Sequence, residues 1–249
     1  MKSISRKIIA IGGGAMTNGA TNCIDEQIIK LTGKKKPHAL FIPTATDDNE
    51  VYCNTFNKIY RDKYHCSTDL LLLMKKKYSK KQLEEKILSA DIIFVGGGNT
   101  LRMMRKWRFL GVDKLLKRAW ENGAVCCGSS AGALCWFNYG HSDSMFYYHP
   151  KKWNYIVVRG LGFVPALLCP HFLKEKRDEH FRNMVKKRGG MGLAVDDCAA
   201  FEIIDDKIRV ITANETTNGF KVFKQNGKII QQQLPKNGKP MLLNDLLKV

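Results

Sequence analysis

The stretch Gly128-Ser129-Ser130-Ala131-Gly132 constrains this chain more than any other. It reads Gly-x-Ser-x-Gly. An apolar run, Ala124-Val125-Cys126-Cys127, precedes it, and helix-compatible residues follow over 131–137. The pattern predicts a strand, a sharp turn and a helix, with the Ser130 hydroxyl exposed at the turn. Glycines flank the serine because a side chain there would collide with the adjoining strand or helix. The helix N-terminus behind the turn offers free N–H groups and a partial positive charge, which suit a developing oxyanion. A plain turn with a buried serine fits the same five residues. The functional reading therefore depends on a base and an acid elsewhere.

The rest of the chain predicts where such partners would lie. Strands are expected at Lys7–Ile11 and over 39–43, 68–73 and 91–95, ahead of the Ser130 strand. Helices are expected over 20–31, 50–61, 79–88, 101–107 and 112–122; Ser79 with Gln82 forms a capping-box pattern, and Asn99 or Thr100 can cap the fourth helix. Apolar strands alternating with helices predict an α/β fold, a mainly parallel sheet with helices on both faces. Sites in such sheets form at the carboxyl ends of the strands. Gly12-Gly13-Gly14, Gly96–Thr100 and Gly128–Gly132 all fall at that edge. The first is a tight turn lining a cleft and not a nucleotide loop: Thr17 stands where Gly-x-Gly-x-x-Gly needs its last glycine.

Residues 139–153 are polar and aromatic, with few helix or strand signals. Later strands are expected over 155–158, 167–169 and 192–195, with a helix over 174–187. Ala199–Ile204 and residues 208–213, 220–224 and 228–230 alternate between turn signals, which predicts a C-terminal antiparallel extension. No linker or repeat interrupts the chain, so residues 1–249 read as a single domain.

Bulk properties narrow the function classes. No apolar run approaches the roughly 20 residues that a membrane helix needs. The basic start is followed by too short an apolar run for a signal peptide, so a cytoplasmic location and no membrane partner are expected. The eight cysteines show no Cys-x-x-Cys spacing, which argues against disulfides and metal and fits a reducing compartment. The net charge of +18 lies in short, scattered lysine runs without interleaved aromatics. No specific nucleic-acid partner is expected, only weak, salt-dependent adhesion to polyanions.

Among the six histidines, His171 stands at the end of an apolar strand, directly after Leu167-Leu168-Cys169-Pro170. That position suits a general base. Asp196 and Asp197 end the next strand, and Asp143 follows Ser130 closely enough to reach back; each is a candidate for the orienting acid. The order Ser…His…Asp differs from the Ser…acid…His order of α/β-hydrolases.

Four motifs arrive together: Val95-Gly96-Gly97-Gly98-Asn99-Thr100, Gly128-Ser129-Ser130-Ala131-Gly132-Ala133, Pro170-His171-Phe172 and Gly192-Leu193-Ala194-Val195-Asp196-Asp197. With them the chain resembles the peptidase E and cyanophycinase group of serine peptidases, over about residues 7 to 215. The resemblance implies the class I glutamine amidotransferase-like, flavodoxin-like fold. Glutamine amide transfer itself is not expected, because Ser130 replaces that family's cysteine and Leu173 stands where its glutamate would be. It further implies Ser130 as nucleophile, His171 as base and backbone groups of Gly97, Gly98 and Ala131 as oxyanion hole. Asp197 is the implied acid, with Asp143 and Asp196 as alternatives. Asn99, Thr100 and Arg177 are the implied substrate contacts, the last for an aspartate side chain. The expected activity is serine-type hydrolysis of small acidic peptides, foremost N-terminal-aspartyl dipeptides, without metal or cofactor. A hydrolase of another isoaspartyl or β-linked amide or ester, or a non-catalytic binding protein, is the alternative. A homodimer is compatible with all of this.

Overall fold

The computed structural model describes residues 4–174 and 177–248. Its strands are β1 Lys7–Ile11, β2 His38–Ile42, β3 Ser67–Leu70, β4 Ile92–Val95, β5 Val125–Ser129, β6 Phe137–Ser142, β7 Ile156–Arg159, β8 Val164–Cys169, β9 Met191–Val195, β10 Ala199–Ile204, β11 Lys207–Thr212, β12 Gly219–Gln225, β13 Lys228–Gln233 and β14 Met241–Leu242. Its α-helices are α1 Asn22–Thr32, α2 Glu50–Phe56, α3 Lys80–Leu88, α4 Thr100–Leu110, α5 Val112–Glu121, α6 Ala131–Leu134, α7 Arg177–Arg188 and α8 Leu243–Leu247.

The expected α/β class is found, built on two sheets. The first has the order β14-β11-β10-β1-β5-β4-β2-β3, in which β1, β5, β4, β2 and β3 run parallel. Strand alternation feeds two cores. Leu40, Ile42, Ile93 and Val95 pack with α3, α4 and α5 on one face; Ala39, Phe41, Ile92 and Phe94 pack with α1 and α2 on the other. The second sheet has the order β13-β12-β9-β8-β6-β7, with β6, β8 and β9 parallel. Leu168 and Leu193 share one core with Val95 and Leu134, so the two sheets are packed together through the Ser130 turn. The antiparallel extension is divided: β10, β11 and β14 lengthen the first sheet, β12 and β13 the second.

Two expectations need correction. The helix after Ser130 is a single turn, Ala131–Leu134, and not residues 131–137; β6 begins at Phe137, at the end of that expected helix, and runs to Ser142 in the stretch read as irregular. The cause is close packing. A Cβ on Gly140 would lie 2.9 Å from the Leu134 side chain, so the glycine lets β6 press against the turn before it. The helix expected over 50–61 leaves α geometry at Phe56 and continues as a π-helix, Asn57–Lys63. In the helix expected over 174–187, residues 175 and 176 lie outside the described residues; α7 starts at Arg177.

The capping box is present: Ser79 Oγ accepts from the Gln82 N–H at 3.2 Å, and Gln82 Oε1 accepts from the Ser79 N–H at 2.8 Å. Under the π-helix, Tyr60 stacks on Phe56 and its hydroxyl donates to buried Asp25 at 2.8 Å, while Thr21 donates to the other oxygen at 3.0 Å. Burial raises the Asp25 carboxyl to about 6 against these stabilising bonds. The folded state therefore takes up this proton before the unfolded state does as pH falls. Stability contributed here rises as pH drops from about 6 towards about 4. Asp25→Asn is expected to remove that slope and to stabilise the protein most at neutral pH. Urea midpoints at both ends of this range read the difference; parallel curves for the two proteins would sink the idea.

Candidate active site

Three strand ends converge. β5 ends at Ser129, and Ser130 turns the chain into α6 with φ 54° and ψ −111°. A non-glycine residue rarely holds a positive φ, and here the surroundings enforce it. A Cβ on Gly132 would overlap the Val95 carbonyl, and one on Gly128 would lie 2.5 Å from the same oxygen. Both glycines are thus required by the close passage of β4 beneath the turn. His171 follows β8 with φ 51°, and Asp197 follows β9 at the crossing from the second sheet to the first.

The side chains form one line. His171 Nε2 lies 2.9 Å from Ser130 Oγ, and His171 Nδ1 is hydrogen-bonded to Asp197 Oδ1. An ionised carboxylate only accepts, so the Nδ1 proton belongs on the Asp197 side. Nε2 is then left to accept from the Ser130 hydroxyl. Burial pushes the Asp197 carboxyl up, but hydrogen bonds from His171 and Lys174 outweigh it and hold the group at about 2. Asp197 is therefore ionised wherever peptides are handled near neutral pH. The glycine turn after β1 closes over this pair: a Cβ on Gly13 would overlap both the His171 ring and the Asp197 carboxylate.

The other acids are committed elsewhere. Asp196 accepts from the Leu173 N–H at 3.2 Å and the Asn218 N–H at 3.0 Å. Asp143 accepts from Arg177 at 2.6 Å. Neither is bonded to His171, whose carboxylate partner is Asp197.

Gly97 lies against the Ser130 turn, its Cβ position 3.4 Å from Ser130 Cβ and from the Ser129 carbonyl. Gly98 holds φ 125°, and a side chain there would overlap the Ala45 carbonyl, so the position needs glycine on both counts. Ala131 opens α6, where first-turn N–H groups have no acceptor within the helix. Tyr52 packs behind this glycine turn, its ring 2.8 Å from the Cβ position of Gly96, and burial pushes its hydroxyl up to about 12. No local sequence pattern singles out Tyr52. Asn99 and Thr100, expected to contact substrate, are buried at 0% and 2% exposure. Asn99 Oδ1 caps α4 by accepting from the Arg102 N–H at 3.0 Å, so these side chains support the loop from behind.

Arg177 is likewise placed inside, its side chain 3% exposed against 30% for Asp143. Its guanidinium lies 4.9 Å above the Tyr155 ring, which stacks on His141 at 4.3 Å. Burial, then Arg177 and His180, press His141 down to about 2, so it is neutral. Sequence reading missed this cluster and also Lys174, whose ammonium bonds to Asp197 Oδ2. Among the described residues no three His, Cys, Asp or Glu side chains are placed to hold a metal ion, and no helix is long and apolar enough to cross a membrane.

Comparison with known proteins agrees with this architecture. A family model described as peptidase family S51 matches residues 8–211. The Bacillus subtilis (strain 168) protein named "uncharacterized peptidase YgaJ" is 31% identical over 234 residues, spanning 92% of this chain and 97% of the relative. The crystal structure of a peptidase from an acI-B1 Actinobacterium superposes with a TM-score of 0.73 at 17% identity, covering 96% of this chain and 98% of that one. A putative peptidase E protein from Listeria monocytogenes EGD-e gives a TM-score of 0.61 at 17% identity, covering 83% and 98%. The two solved structures are alike in fold.

Proposed function

The chain belongs to peptidase family S51, the serine peptidases of the peptidase E type, and from that premise we propose that Ser130 is its nucleophile, His171 its general base and Asp197 the acid. The observation that carries this reading is the unbroken line Ser130–His171–Asp197 across three strand ends. In the proposed reaction Nε2 of His171 takes the Ser130 proton as Oγ attacks the scissile carbonyl. Asp197 holds the imidazole by Nδ1 and stabilises the cation formed. Backbone N–H groups of Gly97, Gly98 and Ala131 face the developing oxyanion. The imidazolium returns the proton to the leaving amine, and water releases the acyl-enzyme by the same path. All these groups come from one chain, so a homodimer is not needed for the chemistry.

The proposed substrates are small acidic peptides, foremost dipeptides that begin with aspartate. Such a substrate carries an ammonium and a carboxylate side by side. The Asp143–Arg177 pair presents the complementary charges, with Asp143 at the exposed end. Substrate binding would exchange the internal pair for two pairs to the ligand, and the net charge of +18 would favour acidic peptides. The free cysteines support placing the reaction in the cytoplasm.

A fluorophosphonate probe located by mass spectrometry tests the nucleophile, and hydrolysis of Asp-Leu against Asn-Leu tests the specificity. Arg177→Met is expected to lower kcat/KM for Asp-Leu by about a hundredfold while leaving Ser130 labelling within a few-fold. Equal hydrolysis of Asn-Leu and Asp-Leu by the parent protein would sink the aspartyl reading and leave the serine mechanism standing.

A further inference from the structure

A carboxylate that orients a histidine has two oxygens, and the ring uses only one. In Asp197, Oδ1 serves His171 Nδ1 while Oδ2 is met by the ammonium of Lys174. This second contact closes a series. The Phe172 N–H donates to the Val195 carbonyl at 3.2 Å, and the Leu173 N–H to Asp196 Oδ1 at 3.2 Å. The Lys174 N–H returns to the His171 carbonyl at 2.9 Å, which curls the loop so that the lysine side chain comes back over Asp197. Residues 171–174 are thereby sewn to residues 195–197, and Lys174 supplies the charged stitch.

We propose that Lys174 is a positioning residue, clamping Oδ2 of Asp197 so that Oδ1 stays aligned with His171 Nδ1 through the catalytic cycle. The inference rests on the proposed roles of Ser130, His171 and Asp197. Without the clamp the carboxylate turns about its last bond, and its two oxygens exchange between ring and water. Among the described residues, the charged and titratable groups around Asp197 are His171, Lys174, Asp196 and Cys198. Lys174 also sets a positive charge beside the pair that must accommodate the imidazolium. It therefore fixes geometry at some cost in cation stabilisation, and the two effects separate experimentally. Its side chain is 64% exposed, so the effect is smaller than that of a fully buried partner.

The test measures the second-order rate of Ser130 modification by a fluorophosphonate, which needs no knowledge of the peptide. Lys174→Met, Lys174→Arg and Asp197→Asn are compared with the parent across pH, and a urea midpoint confirms that each is folded. Lys174→Met is expected to react about tenfold more slowly at its best pH, with the acidic limb of its profile moved to higher pH because a neighbouring cation is gone. Lys174→Arg is expected within about threefold of the parent, since it restores the charge and a donor. A Lys174→Met protein with the parent's rate and acidic limb overturns the clamp. So does a Lys174→Arg protein as slow as Lys174→Met. An Asp197→Asn protein with the parent's rate overturns instead the assignment of the acid on which the clamp rests.

Discussion

Ser130→Ala is expected to lower kcat for peptide hydrolysis by a factor on the order of 10⁵ and to abolish fluorophosphonate labelling. The loss is large because the proposed base and acid act only through this oxygen; with Oγ gone, His171 and Asp197 have nothing to activate. The fold should survive. The Ser130 hydroxyl bonds to His171, while the turn is held by backbone bonds from the Ser130 N–H to the Ile11 carbonyl and from the Ala133 and Leu134 N–H groups to the Ser130 carbonyl. Alanine keeps all of these at the same φ. The measurement is kcat with urea midpoints as the control. A folded Ser130→Ala protein that retains more than about a hundredth of the parent rate would remove Ser130 from the mechanism.

Gly13→Ala is expected to lower kcat by about 10²- to 10³-fold while shifting stability by less than about 2 kcal/mol. The new methyl would occupy space held by the His171 ring and the Asp197 carboxylate. Both are side chains and can swing aside, so the protein folds, but with base and acid displaced. Misplacement of about 1 Å at reacting groups costs on the order of a hundredfold. Gly132→Ala provides the contrast. Its methyl meets the Val95 backbone, which β4 fixes within the sheet, and the expected outcome is loss of folding. Activity of Gly13→Ala within tenfold of the parent would show that the glycine turn is not packed on the pair.

The Ser130 turn was legible because its constraint is local: a strand, two glycines and a short helix are consecutive. His171 and the Asp196-Asp197 pair were legible as strand ends for the same reason. Most strands of the second sheet were legible too, but their gathering into a separate sheet and β6 within it were not. β6 runs Phe137-Asn138-Tyr139-Gly140-His141-Ser142, with no clean alternation and a glycine inside. It becomes a strand because β7 and β8 flank it, and His141 is buried against His180, far along the chain. Such tertiary pairing overrides local propensity. Arg177 was named only through the resemblance, and its buried ion pair was not legible, because nothing near it in sequence announces Asp143. Lys174 stood out in no pattern, since its significance lies in where the loop after His171 curls.

The division of the site between the two sheets has a consequence for how activity arises. Ser130 stands on the first sheet, while His171 and Asp197 belong to strand ends of the second. On the proposed mechanism, neither half holds an armed hydroxyl alone. A growing chain that has completed only its first half presents an ordinary alcohol to its surroundings, and the same is true of a mature molecule whose second sheet has locally come apart. If Ser130 is the nucleophile as proposed, reactivity is thus coupled to completion of the structure, and an unfinished copy would be silent.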